Sequence, residues 1–390
     1  MDRDTEIELT KELLALRSQK SAYLVESVSS SPVEIYLDPE RFRQERNLIM
    51  RTTPQPAAHA SELPEPGSFL RRSVAGLPVL FTRDADGAPH AFLNVCRHRG
   101  SRLVEEQNGC QHRFTCPYHA WTFSNRGELI GVPHEKQGFP NLDRSSMGLK
   151  RLGCAERYGW IWVSADSDEA PDIDAGLHGL APDVDALGAA DYRLVHTNEL
   201  TCPANWKVLV EGGIEAYHFR VAHRDTIGPY FTDNLSTYRS LGPHMRSILA
   251  KRSLAELETQ PEDTWRLLDH AQVLLSVFPL NQFLIQSDHF VWIRMEPLSE
   301  SSTHIRLSTF APADRLEDET DIGHWSRNHA ITLETLIEDF DIAAGIQSGL
   351  ASGANSHLTF GRFEGALAAF NESVERCLEG RSANTTDTQA

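Results

Sequence analysis

The chain has 390 residues, 40% hydrophobic and 24% charged, a balance that predicts two or three globular domains and not a disordered polymer. A formal net charge of −18 argues against nucleic acid or an anionic membrane surface as a partner, since both select basic patches. There is no signal-type apolar core at the start, no run of about eighteen apolar residues, and no framework spacing among the six cysteines, so a cytoplasmic protein without a membrane span is expected.

Residues 5–19 predict an amphipathic helix, with Leu9, Leu13, Leu14 and Leu16 near helical spacing. Ser29 to Pro32 reads as a break and residues 33–36 as a short strand. Asp38 and Pro39 read as N-cap and first position of a brief helix. From 69 to 164, apolar runs at 77–81, 91–95, 149–152 and 160–163 alternate with turns such as Asp86-Gly87 and Asn125-Arg126-Gly127, which predicts a small antiparallel β domain. The acidic stretch 166–174 reads as a linker. Beyond about 175 the pattern predicts a helix over 205–224, strands at 271–276, 282–286, 290–295 and 305–310, a long helix over 326–347 and a shorter one over 364–378. The expected fold class is therefore α+β. It comprises a helical segment 1–32, a β domain 33–174, a second domain 175–380 of antiparallel sheet with a long C-terminal helix, and a disordered tail 381–390.

Within the β domain, Cys96-x-His98 is followed after seventeen residues by Cys116-Pro-Tyr-His119. Each short loop supplies one thiolate and one imidazole. A Rieske [2Fe–2S] cluster needs this set, because two Cys hold one iron and two His replace Cys on the other. The competing reading is a structural zinc knuckle, but zinc sites usually space each ligand pair by two or more residues and the first pair here is separated by one. Cys110, Cys154, Cys202 and Cys377 read as packing residues.

A second constellation lies at His218 and His223. On a regular helix they stand about 140° apart, so the helix must widen or end between them for one metal to meet both. Glu215 lies three residues before His218 and faces it. Two His and one carboxylate make the facial triad of non-heme Fe(II) oxygenases. Glu334, Glu338, Asp339 and Asp341 on the long helix all offer the carboxylate, and spacing does not choose among them. Alone, such a His pair is also what ordinary surface or core histidines give.

With both constellations, the chain resembles the catalytic α subunit of Rieske non-heme iron oxygenases, the ring-hydroxylating oxygenase family, over roughly residues 33 to 380. The resemblance rests on Cys96-Arg97-His98-Arg99-Gly100, Cys116-Pro117-Tyr118-His119-Ala120-Trp121, Asn205-Trp206-Lys207 and Glu215-Ala216-Tyr217-His218 with His223. It implies a Rieske domain followed by a helix-grip catalytic domain, with a [2Fe–2S] cluster on Cys96, His98, Cys116 and His119. It further implies a mononuclear Fe(II) on His218, His223 and Asp339, since Gln347 matches a family Gln about eight residues after the ligand; Glu338 is the fallback. O2 is the implied co-substrate.

No Gly-x-Gly-x-x-Gly fingerprint follows a strand, so NAD(P)H acts only indirectly, through a separate flavin- or iron–sulfur-containing reductase and possibly a ferredoxin. The family's head-to-tail trimers imply a homotrimer, with or without a β subunit, in which Glu215 bridges His218 and a neighbour's His119. Most ring-hydroxylating members carry Asp at that place. A Glu is similar to members acting on quaternary ammonium substrates, or is a neutral exchange. Gly212, where many relatives have Asn, is a second departure. Phe219, Ile227, Phe231, Phe278, Asn281, Ile285, His289 and Trp292 fall on elements that line the family's pocket, though each also suits ordinary core. The expected activity is hydroxylation or oxidative dealkylation of a small substrate, the alternatives being cis-dihydroxylation of an aromatic ring or electron carriage without turnover.

Overall fold

A computed structural model describes residues 1–380; the tail expected at 381–390 lies outside the described residues. The chain divides into two compact units, Arg51–Gly176 and the pair of segments Met1–Met50 and Leu177–Ala390. No helix among the described residues is long and apolar enough to cross a membrane.

In the unit Arg51–Gly176, a seven-stranded antiparallel sheet runs in the order Gln55–His59, Trp160–Ser164, Arg151–Arg157, Pro89–Leu93, Leu77–Arg83, Ser68–Val74, Asn108–Cys110. A smaller three-stranded sheet, Arg113–Thr115, Thr122–Ser124 and Leu129–Gly131, carries the second cysteine loop between its first two strands. Phe69, Leu80, Phe92, Phe114, Trp121 and Phe123 form a core that also encloses Cys96 and Cys116. The stretch read as a linker folds back on this unit, where Gly153 N–H donates to Ser167 O at 2.6 Å.

The other unit is built on a second seven-stranded antiparallel sheet, ordered Tyr192–Cys202, Ser302–Pro312, Phe290–Ser299, Asn281–Ile285, Ala271–Val277, His244–Lys251, Phe231–Leu241. The long helix is Glu319–Ala351, begun by Asp318, whose carboxylate accepts from Thr320 N–H at 2.8 Å. It packs on the strands Tyr192–Cys202 and Ser302–Pro312 and on the helix Trp206–Gly213.

Two expectations are corrected. The strand at 33–36 is the short helix Glu34–Leu37, and the strand is Ser29–Pro32, paired with His357–Phe360. The domain boundary expected at 33 falls at 51, because residues 33–50 are tied by buried polar bonds to the unit that begins again at Leu177. Tyr36 O–H donates to Glu211 at 2.7 Å, and Glu45 accepts from Trp206 Nε1 at 2.9 Å and Lys207 Nζ at 2.6 Å. Asn205 caps the helix Trp206–Gly213 by accepting from Lys207 N–H, and its amide N–H groups reach Tyr36 O and Glu300 O. The Asn205-Trp206-Lys207 motif is thus a fastening.

Candidate metal centres and cavity

The two cysteine loops share one backbone geometry. Cys96 N–H donates to Ser101 O and Gly100 N–H returns to Cys96 O; likewise Cys116 N–H donates to Trp121 O and Ala120 N–H returns to Cys116 O. The fifth residue of each loop has positive φ, 76° at Gly100 and 57° at Ala120. Glycine adopts this at no steric cost, whereas Ala120 holds it against a preference of about 1 kcal/mol. Asn94 secures the first loop, its Oδ1 accepting from Leu103 N–H and Val104 N–H.

The donors so placed suit a two-iron cluster. Cys96 and Cys116 are free thiols, 2% and 3% exposed, while His98 and His119 sit at the partly exposed edge. Burial holds the Cys96 thiol above its ordinary value, and Cys116 beside it adds to this, so two thiolates here require positive charge between them. His98 stacks on Trp121 with centroids 4.9 Å apart and meets His119 at 4.6 Å. Its Nδ1 is buried without a hydrogen-bond partner, and burial, with His119 nearby, keeps the ring below its ordinary pKa and neutral. A buried, neutral, unpartnered imidazole nitrogen beside two thiols is what the neutral His ligand of such a cluster presents.

In the other unit, the helix Trp206–Gly213 ends at Ile214 and the chain resumes as one turn, Phe219–Ala222, with His218 and His223 as its flanking residues. The helix expected over 205–224 thus breaks before His218 and not between the histidines, and the short turn ends at His223, whose dihedrals are non-helical (φ −105°, ψ 28°). His218 Nε2 and His223 Nε2 lie 3.1 Å apart. Asp339 Oδ1 is 3.0 Å from His223 Nε2 and 3.5 Å from His218 Nε2. Among the described residues this trio brings its ligand atoms within 4.8 Å of one another, as does Asp288–His289–His324.

Both outer ring nitrogens carry carboxylates. Glu215 pairs with Nδ1 of His218, and Glu338 Oε2 is 2.7 Å from Nδ1 of His223 and accepts from Thr226 O–H at 2.7 Å. Glu338 thereby belongs behind the ring, a part that spacing did not reveal. Glu334 and Asp341 are not members of the trio. Gln347 Oε1 accepts from Asn205 N–H at 2.9 Å, which fixes the long helix against the start of the His-bearing segment. Burial alone would depress both imidazoles, but Asp339 and the outer carboxylates raise them, His218 to about 10. The carboxylate set therefore stabilises positive charge between the rings, and a divalent cation supplies it while displacing the protons.

A cavity of ≈ 550 Å³ adjoins this trio. Of the residues expected to line it, Phe219, Ile227 and Phe231 do, whereas Phe278, Asn281, Ile285, His289 and Trp292 do not. The reason is strand parity. Gln282, Leu284 and Gln286 face the cavity, so Asn281 and Ile285 face away; Ile293 and Met295 face it, so Trp292 points back and donates to Asn281 Oδ1 at 2.9 Å. His289 is held in the turn by Asp288 at 2.8 Å.

Comparison with known proteins accords with this geometry. Residues 53–151 match the Rieske [2Fe-2S] domain, and residues 189–380 match the ring hydroxylating alpha subunit (catalytic domain). The anthranilate 1,2-dioxygenase large subunit of Acinetobacter baylyi is 31% identical over 196 residues, 49% of this chain and 41% of that one. The glycine betaine monooxygenase oxygenase subunit of Pseudomonas aeruginosa is 31% identical over 198 residues, 51% of this chain and 46% of that one. The matched segments thus span about half the length of these curated relatives. A crystal structure of a quaternary ammonium Rieske monooxygenase with a bound inhibitor has the same fold, with a TM-score of 0.77 at 24% identity over 90% of this chain and 96% of that one. With a Rieske domain and a ring-hydroxylating catalytic domain in this order, the chain belongs to the Rieske oxygenase large subunits.

Proposed function

We propose that the chain is a terminal oxygenase component that hydroxylates or oxidatively dealkylates a small organic substrate. Cys96, His98, Cys116 and His119 would hold the [2Fe–2S] cluster, and His218, His223 and Asp339 the Fe(II). When bound, these groups supply one-electron transfer and O2 activation, chemistry that no side chain offers. The protein's own part is geometric. Glu215 and Glu338 fix the two rings through Nδ1, which leaves both Nε2 atoms aimed at one point. Phe219, Leu336 and Phe340 give the cavity an apolar wall against which a substrate body can pack.

The observation that carries this reading is the convergence of His218 Nε2, His223 Nε2 and Asp339 Oδ1 at the edge of a cavity large enough for a small substrate. A pure electron carrier has no use for such a cavity. The similarity to a glycine betaine monooxygenase and to a quaternary ammonium monooxygenase supports monooxygenation. The similarity to an anthranilate 1,2-dioxygenase supports ring dihydroxylation as the second reading. We further propose electrons from a separate reductase, a head-to-tail homotrimer in which Glu215 meets a neighbour's His119, and a cytoplasmic setting.

The test is a single turnover of chemically reduced protein with O2 and a panel of arenes, aryl ethers and quaternary amines, read by mass spectrometry. One added oxygen or a lost methyl group supports monooxygenation. Two oxygens with two hydrogens establish the dioxygenase instead. A His218→Ala protein that keeps its cluster and every measured activity would sink the oxygenase reading.

A further inference from the structure

This inference rests on the oxygenase reading of His218, His223 and Asp339, and concerns what the adjoining cavity binds. Alternation along the strand His244–Lys251 puts Leu249 and Lys251 on its cavity side. Lys251 is the one lysine or arginine lining the cavity among the described residues. It pairs in register with Phe231, whose ring meets Phe219 edge-on at 5.2 Å, and Phe219 meets His223 at 5.5 Å. Lys251, Phe231, Phe219 and His223 thus follow one another along one side of the cavity.

The ammonium is poorly satisfied by the protein. No carboxylate oxygen lies within 4.0 Å of it among the described residues, and Nζ reaches two backbone carbonyls, Leu268 O and Asp269 O, each at 3.4 Å. Those contacts are long for N–H···O bonds, and an ammonium has three donors. Burial depresses its pKa, which Asp269 partly offsets, so an anion brought beside it gains by restoring the lost solvation. Gln272 and Gln286, bonded to each other at 2.7 Å, extend the polar wall on the neighbouring strands. The acidic residues lining the cavity, Glu215 and Asp339, are both engaged with the histidines.

We propose that Lys251 receives the carboxylate or sulfonate of a small anionic substrate, with Phe219 and Phe231 flanking its body and the reacting carbon or N-methyl group held against the His218–His223–Asp339 trio. Hydrocarbon arenes and simple cations leave the ammonium uncompensated and are poorer ligands.

Calorimetric titration of the metal-loaded full-length protein tests this with matched pairs: benzoate and benzamide, cyclohexanecarboxylate and its amide, benzenesulfonate and benzenesulfonamide. At least one acid is expected to bind tenfold or more tightly than its amide. Lys251→Gln should abolish that preference, and Lys251→Arg should retain part of it. If no acid outbinds its amide, or if Lys251→Gln keeps the preference, the proposal is wrong. Single turnovers with the same compounds separate the two levels. Equal oxygenation of an acid, at subsaturating concentration, by wild type and Lys251→Gln removes Lys251's role and leaves the oxygenase standing. Acids that bind through Lys251 yet yield no oxygenated product establish the anion site and remove the oxygenase.

Discussion

Glu338 holds Nδ1 of His223 at 2.7 Å, while its chain neighbour Asp339 reaches Nε2 on the opposite edge of the same ring, at 3.0 Å. Adjacent residues on one helix thus meet the two nitrogens of one ring, and on the proposed reading Asp339 is the ligand and Glu338 orients the ring. A carboxylate behind a ligating His typically contributes 10–100-fold to metal affinity. Glu338→Gln should therefore weaken Fe(II) binding by about that factor without abolishing it, and Asp339→Asn should leave no tightly bound Fe(II). Chelator competition reads both. Equal loss in the two variants would return the ligand role to Glu338.

Glu45 and Lys207 form an ion pair at 2.6 Å with both side chains fully buried, and Trp206 Nε1 and Arg41 Nε also donate to Glu45. Removing one member leaves the other charged inside, a change that costs about 3–5 kcal/mol. Lys207→Met should lower the free energy of unfolding, read by denaturant titration, by up to about that much, less whatever Arg41, which stays on Glu45, offsets, and Lys207→Met with Glu45→Gln should recover part of it. A single-variant loss under about 1 kcal/mol would mean that residues 33–50 do not depend on this pair.

Gly212 and Gly213 end the same helix with opposite surroundings. A Cβ at Gly212 meets nothing within 4 Å, whereas one at Gly213 lies 2.5 Å from Gln282 Oε1. Gln282 is 3% exposed and donates to Val210 O, so it is not free to retreat. Gly212→Ala should stabilise by about 0.5–1 kcal/mol through helix propensity, and Gly213→Ala should destabilise. Thermal midpoints decide between them. Since Gly212 lines the cavity, Gly212→Leu should also weaken binding of bulky substrates more than of small ones.

The cluster loops were legible in sequence because ligand type and spacing are local chemistry, and Cys96-x-His98 with Cys116-x-x-His119 leaves few alternatives. Asp339 as the proposed ligand was reachable only through the family resemblance, since Glu334, Glu338, Asp339 and Asp341 all lie on the helix expected over 326–347. In the second seven-stranded sheet, three strands went unread. Tyr192–Cys202 is partly or fully exposed up to its last residue, Phe231–Leu241 buries only Leu235 and Thr237, and His244–Lys251 buries polar residues among its apolar ones. Cavity lining failed for a different reason. In 290–295 both faces of the sheet are buried, and in 284–285 both residues are apolar and half-buried, so hydrophobicity carries no phase, and a one-residue slip exchanges Leu284 for Ile285 and Ile293 for Trp292.

Two buried groups in the iron-site unit give the stability–pH curve opposing limbs. Glu211, which accepts from Tyr36 and Asn371, is pushed up by burial from 4.5 to about 7. Its folded form binds a proton that the unfolded form has lost, so stability falls as pH rises from about 4.5 to about 7 and is level beyond. His329 is neutral, its rings' nitrogens bonded to Thr309 Oγ1 and Asn198 Oδ1 at 2.7 Å each, and burial, with His196 nearby, depresses it from 6.5 to about 4. Here the unfolded form binds the proton first, so stability falls as pH drops from about 6.5 to about 4. Each limb amounts to about 3 kcal/mol when fully developed. Between about 4.5 and 6.5 the two slopes are equal and opposite, and their sum is flat. Relative to wild type, Glu211→Gln should gain stability as pH rises through that window, and His329→Gln should gain it as pH falls. Urea unfolding at half-unit pH steps reads these differences, and parallel curves for wild type and both variants would show that neither group is shifted in the folded protein.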